Sequence, residues 1–150
     1  MSRFTRLATI GMALYLFFGL AHLVFYSYLV LSGALEAPVF VQMESTTIQI
    51  FGEHNYLSFY KGLNITTGMF MASTGMMGLS SLPQVASDPS AARRFAALHV
   101  GLSVLTLAVL VAYSHVVAMG IFVVVIGTLV GAFLSVEPHS RVQPASSLSR

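Results

Sequence analysis

The chain has 150 residues, of which 56% are hydrophobic and only 8% charged, with seven Lys+Arg against five Asp+Glu. Ordinary soluble domains carry about 25% charged residues, and disordered chains combine low hydrophobicity with high net charge, so both classes are excluded and a bilayer is the expected solvent. The lack of cysteine excludes disulfide exchange, iron–sulfur clusters, thiolate metal sites and haem attachment through C-x-x-C-H; so few and scattered basic residues make no nucleic-acid surface.

A spanning helix needs about 20 mainly apolar residues. The first predicted span covers residues 7–33 without a formal charge. It is far longer than the apolar core of a signal peptide and no small-x-small cleavage site follows, so it is expected to be retained. Pro38 can then open a helix. Val39, Phe40, Met43, Thr47, Ile50 and Phe51 recur at helical spacing against Gln42, Glu44, Ser45 and Gln49, which predicts an amphipathic helix on the outer membrane interface. The second span is expected over 56–82, with Lys61 near its start. Residues 83–94 read as a polar, turn-rich linker. From Phe95 to Val136 there is no Asp, Glu, Lys or Arg. One helix of that length would reach roughly 63 Å, twice the bilayer core. The segment is expected to fold back at Tyr113-Ser114-His115, giving spans at 92–113 and 116–136, with 137–150 a frayed tail.

Four spans place Arg3, Arg6, Arg93, Arg94, Arg141 and Arg150 on one side and Lys61 on the other, with Glu36, Glu44 and Glu53 in the outer loop. By the positive-inside rule both termini are cytoplasmic. The expected fold is all-α: a single membrane domain, a four-transmembrane-helix up-down-up-down bundle with an interfacial helix in the first extracytoplasmic loop.

Polar groups within spans are costly and should face protein or water. The first span carries a seam of Gly11, Tyr15, Gly19, His22 and Tyr26; the second offers Lys61, Asn64, Gly68, Ala72, Gly75 and Leu79. The third contributes His99, Ser103, Thr106 and Tyr113, and the fourth Gly120, Gly127 and Gly131, the last two a small-xxx-small pair. The glycines are expected to serve packing, and Met69, Met71, Met76 and Met77 to fill the core. His22 lies roughly 16 Å below the outer end of its span and Asn64 roughly 12 Å below the end of its own, close enough in depth for an imidazole–amide hydrogen bond. His99 lies roughly 12 Å deeper than His22, too far to share a metal or haem iron.

The candidate ligand-binding set is therefore His22, Tyr26, Lys61, Asn64 and His115. Three readings stand for it: a satisfied structural network, a pocket for a lipid, quinone or other small hydrophobic molecule, or a metal site using His22, His115, His54 or Glu53. The last lacks any local ligand spacing, so no metal and no cofactor is expected. Asn64-Ile65-Thr66 matches a glycosylation sequon by chance, since it falls inside a span.

Gly19-Leu20-Ala21-His22-Leu23, the amphipathic outer stretch, Phe59-Tyr60-Lys61-Gly62-Leu63-Asn64 and the Gly-rich second span resemble an uncharacterised family of small four-helix bacterial integral membrane proteins. The likeness covers roughly residues 7–136 and implies an inner-membrane location, with His22 and Asn64 at the family's distinctive polar positions. Phe59 or Tyr60 stands where the family pattern has a Trp. The expected role is a non-enzymatic membrane component or a binder of lipid or a hydrophobic ligand, with the bilayer and other membrane subunits as partners. The alternative is a small quinone- or haem-linked membrane redox protein.

Overall fold

Ser2 sets the first boundary: its hydroxyl accepts the Thr5 N–H at 3.2 Å and lies 2.8 Å from the Thr5 hydroxyl, an N-cap that starts the helix ahead of the apolar run. The computed structural model describes residues 2–33, 37–49, 52–112 and 116–136. In chain order these form α1 (Arg3–Leu31), α2 (Pro38–Ser45), β1 (Thr47–Gln49), β2 (Glu53–Asn55), α3 (Tyr56–Val85), α4 (Pro89–Ala112) and α5 (Val116–Leu134). The described chain is thus mostly helical. The expected turn at Tyr113-Ser114-His115 and the tail 137–150 lie outside the described residues.

Local chemistry fixes the other boundaries. Asn55 Oδ1 accepts the Ser58 N–H at 2.7 Å and caps α3. That helix runs three residues past its expected end, through Pro83. Close to a C-terminus a proline removes a single backbone donor, and Ala86 N still donates to the Leu82 carbonyl at 2.8 Å. The expected linker 83–94 is shortened by α4, which opens with Pro89 at its first position. Asp88 Oδ1 accepts the Ser90 N–H there at 2.8 Å.

The outer segment differs from expectation. Its helix lasts only from Pro38 to Ser45, after which Thr47–Gln49 pairs antiparallel with Glu53–Asn55, Ile48 opposite His54. Ser45 and Thr46 hydroxyls donate to the Gln42 carbonyl at 2.9 and 2.8 Å and close the last turn. The β-branched run Thr46-Thr47-Ile48 then favours extended backbone. Gly52 enters β2 at φ 119°, a conformation open chiefly to glycine. Thr47 therefore belongs to a strand; Ile50 and Phe51 lie outside the described residues.

The chain divides into two compact units, one of the described residues in Thr9–Ser81, the other of those in Met1–Ala8 and Leu82–Arg150. In the first, Met12, Tyr15, Gly19 and Tyr26 of α1 are buried, as are Leu57, Gly68, Met71, Gly75 and Gly78 of α3. These lie on the alternating three- and four-residue spacing of an antiparallel helix pair. A Cβ built on Gly19 would stand 2.8 Å from the Ala72 Cα, and one on Gly75 2.7 Å from the Leu16 Cα, so only glycine lets these backbones approach so closely.

In the second unit, α4 buries Ala92, Ala96, His99 and Ser103, and α5 buries Phe122, Val125, Leu129 and Ala132. The two helices pack antiparallel, Arg93 near the start of α4 lying over the Phe133 ring near the end of α5 at 5.0 Å. Phe4, Ala8 and Leu82 are buried in the same unit. The expectation for α5 needs correcting. Among the described residues nothing lies near Gly120 or Gly127, and of the α5 glycines only Gly131 meets a neighbour, the Leu7 side chain 3.2 Å from where its Cβ would be. The helix buries its large residues instead, because the small residues that admit them are on α4.

Large apolar side chains face outward on every long helix: Phe17 is 67% exposed, Phe70 62%, Leu105 67% and Val123 58%. Arg3–Leu31 and Pro89–Ala112 are long and apolar enough to cross a membrane, and Ala118–Leu134 is a shorter apolar stretch.

Candidate functional site

Two polar residues of α1, His22 and Tyr26, lie on its packed face, along the seam with α3. His22 and Tyr26 lie one turn apart on α1, where the packing of α1 on the glycines of α3 carries them inward. Tyr26 is 4% exposed. Among the described residues, His22 Nε2 and the Tyr26 hydroxyl are buried and have no hydrogen-bond partner. Each such group forfeits about 1–3 kcal/mol of hydration with nothing in return.

An aromatic chain closes one end of this seam. The Tyr26 and Tyr60 rings meet edge-on, 6.2 Å between centroids at 63°. Tyr60 in turn meets Phe40 at 5.8 Å and 43°, so α2 rests on α3 through Phe40. Lys61 and Asn64 are half-buried, in the same stretch of α3. The recess beside α2 is separate and shallow, lined by Val39, Gln42, Met43, Thr46 and Tyr56.

The expected hydrogen bond between His22 and Asn64 is not formed. Asn64 Nδ2 donates instead to the Tyr60 carbonyl at 2.9 Å, one turn back on its own helix. His22 lies against Gly68, whose Cβ would stand 3.2 Å from His22 Cδ2. The gap left by a missing side chain settles the register, and it places His22 one helical turn away from Asn64. His115 lies outside the described residues. Of the expected set, Tyr26 meets Tyr60 and His22 lies against Gly68 across the two helices, while Lys61 and Asn64 are half-buried on α3. Sequence reasoning missed the Phe40–Tyr60–Tyr26 chain. Its one sequence signal is that Phe40 occupies the third position of a helix opened by Pro38.

In the other unit His99 is also buried, its Nδ1 without a partner among the described residues. Its ring packs on Phe95 at 4.5 Å and its carbonyl accepts the Ser103 hydroxyl at 2.6 Å. Other hydroxyls bond back similarly, Thr67 to Leu63, Thr106 to Leu102 and Thr128 to Val125, which satisfies them without water.

Chemically the seam offers the Tyr26 phenol and a His22 nitrogen that donates or accepts according to its tautomer, with the Asn64 carboxamide and Lys61 ammonium on the same stretch of α3 as Tyr60. They suit recognition of a neutral or anionic polar group carried on an apolar body. No three His, Asp or Glu side chains gather as metal ligands among the described residues. No family model, curated protein or solved structure matches the chain.

Proposed function

We propose that the protein is an integral membrane protein of the cell membrane, crossing the bilayer with α1, α3, α4 and α5, both termini cytoplasmic, and that it binds a lipid or other small hydrophobic molecule at the His22–Tyr26 seam. Burial supports the bilayer reading: in the most apolar stretches of α1 and α4 only 28% and 17% of residues are buried, whereas the core helix of a soluble protein is mostly covered. At 19 residues α5 reaches roughly 28 Å, near the bilayer core, and α3 has 30 residues with Lys61 as its one charge. Arg3, Arg6, Arg93 and Arg94 then share the cytoplasmic side, and Lys61 reaches the outer surface.

The ligand reading is carried by one observation, the two unpartnered buried polar atoms one turn apart. In a span such groups are costly and mark sites. The role is binding, as a membrane component without catalysis of its own. Mass spectrometry of small molecules extracted from protein purified from membranes tests it. A species enriched with the wild type and lost from Tyr26→Phe and His22→Leu is expected. Identical extracts from all three proteins would contradict it.

A further inference from the structure

Four arginines crowd one end of the unit that contains α4 and α5. Leu7 packs at Gly131, and Arg93 lies over Phe133 two residues further on. Arg3 and Arg6 are within a turn of Leu7, and Arg94 adjoins Arg93, so both pairs flank the last turn of α5. All four are exposed. Asp88 lies five residues before Arg93, and its Oδ1 accepts the Ser90 N–H. Arg94 reaches back to Ser90, Nη2 to the hydroxyl at 3.0 Å and Nε to the carbonyl at 3.4 Å, which leaves guanidinium N–H groups over. The arginines also lie in the early turns of α1 and α4, where the helix dipole disfavours cations. Arg93 is held in place by an aromatic face. The patch adjoins outward-facing apolar side chains such as Leu98.

We propose that this end of the unit is a binding surface for the phosphodiester headgroups of anionic phospholipids. Guanidinium groups pair with phosphate oxygens through two parallel N–H···O bonds, and Arg suits this geometry better than Lys. A headgroup tethered to acyl chains also covers the neighbouring apolar surface, which a free phosphate does not. The inference rests on the bilayer reading, and the experiment separates the two: a protein extracted from membranes that shows no lipid preference defeats the surface and leaves the bilayer reading standing.

The test is native mass spectrometry of the detergent-purified protein with equal phosphatidylglycerol and phosphatidylcholine. Each arginine near a charged lipid surface contributes about a fivefold preference, so phosphatidylglycerol adducts should dominate. Arg3→Gln with Arg94→Gln, which leaves Arg93 on Phe133, should cut the preference by tenfold or more while circular dichroism stays helical. The same two positions as Lys should retain part of it. Equal adducts of both lipids, an unchanged preference in the Gln variant, or displacement of phosphatidylglycerol by equimolar inorganic phosphate would overturn the proposal.

Discussion

His22 and Tyr26 carry opposite signs for stability and for binding. Each presents a buried polar atom without a partner, so His22→Leu and Tyr26→Phe should leave thermal stability unchanged or raise it by about 1 kcal/mol. Binding of the co-purified molecule should fall in both. Detergent melts beside extract analysis check this, and a large loss of stability would show the two groups to be satisfied after all. Glycines divide just as sharply. Gly19→Ala and Gly75→Ala drive a methyl into opposing backbone and should cost about 1–3 kcal/mol. Gly120→Ala and Gly127→Ala meet open space and should be neutral or stabilising by up to about 1 kcal/mol, as alanine is the better helix former. Equal effects at the four positions would contradict the assigned faces. That His22 and Tyr26 pack against α3 was legible in the sequence, because large polar groups in an apolar span are costly against lipid. Their partners were not. A register difference of one turn, set by the gap over Gly68, decides whether an imidazole meets an amide or a glycine.

At the scale of elements, the helices were legible from length and apolar content, but the caps at Ser2 and Asp88 start α1 and α4 earlier than the expected 7 and 92. Three features were hidden. Of the four methionines expected to fill the core only Met71 is buried, while Met69, Met76 and Met77 face outward. An apolar run such as Val116–Leu134 has no polar face to mark its inward side, so its glycines were expected inside and the structure puts Gly120 and Gly127 outside. The outer segment repeats apolar residues at helical spacing, yet the β-branched residues after Ser45 turn it into a hairpin. This makes Phe40 the residue through which α2 docks on Tyr60. Phe40→Ala should lower stability by about 1 kcal/mol, the size of one aromatic contact. It should also raise protease cleavage in the 38–55 segment. Unchanged cleavage would mean that α2 is held by other contacts.

For the molecule as a whole, the account turns on where its apolar surface is. Glycine, alanine, serine and histidine occupy buried positions on α1, α3 and α4, while Phe17, Phe70, Leu105 and Val123 point outward. In water that surface would aggregate. In lipid it is solvated, and small residues become the natural interior. Because the chain has no cysteine, single cysteines can report each position without a background. The most direct measurement is labelling of Phe17→Cys, Phe70→Cys, Leu105→Cys, Val123→Cys and Ser87→Cys by a membrane-impermeant maleimide, in intact cells and in inverted membrane vesicles. The account predicts that Ser87→Cys reacts only in inverted vesicles and that the other four stay unlabelled in both until the protein is denatured. Rapid labelling of the four in native membranes, or recovery of the native protein in the soluble fraction, would contradict it.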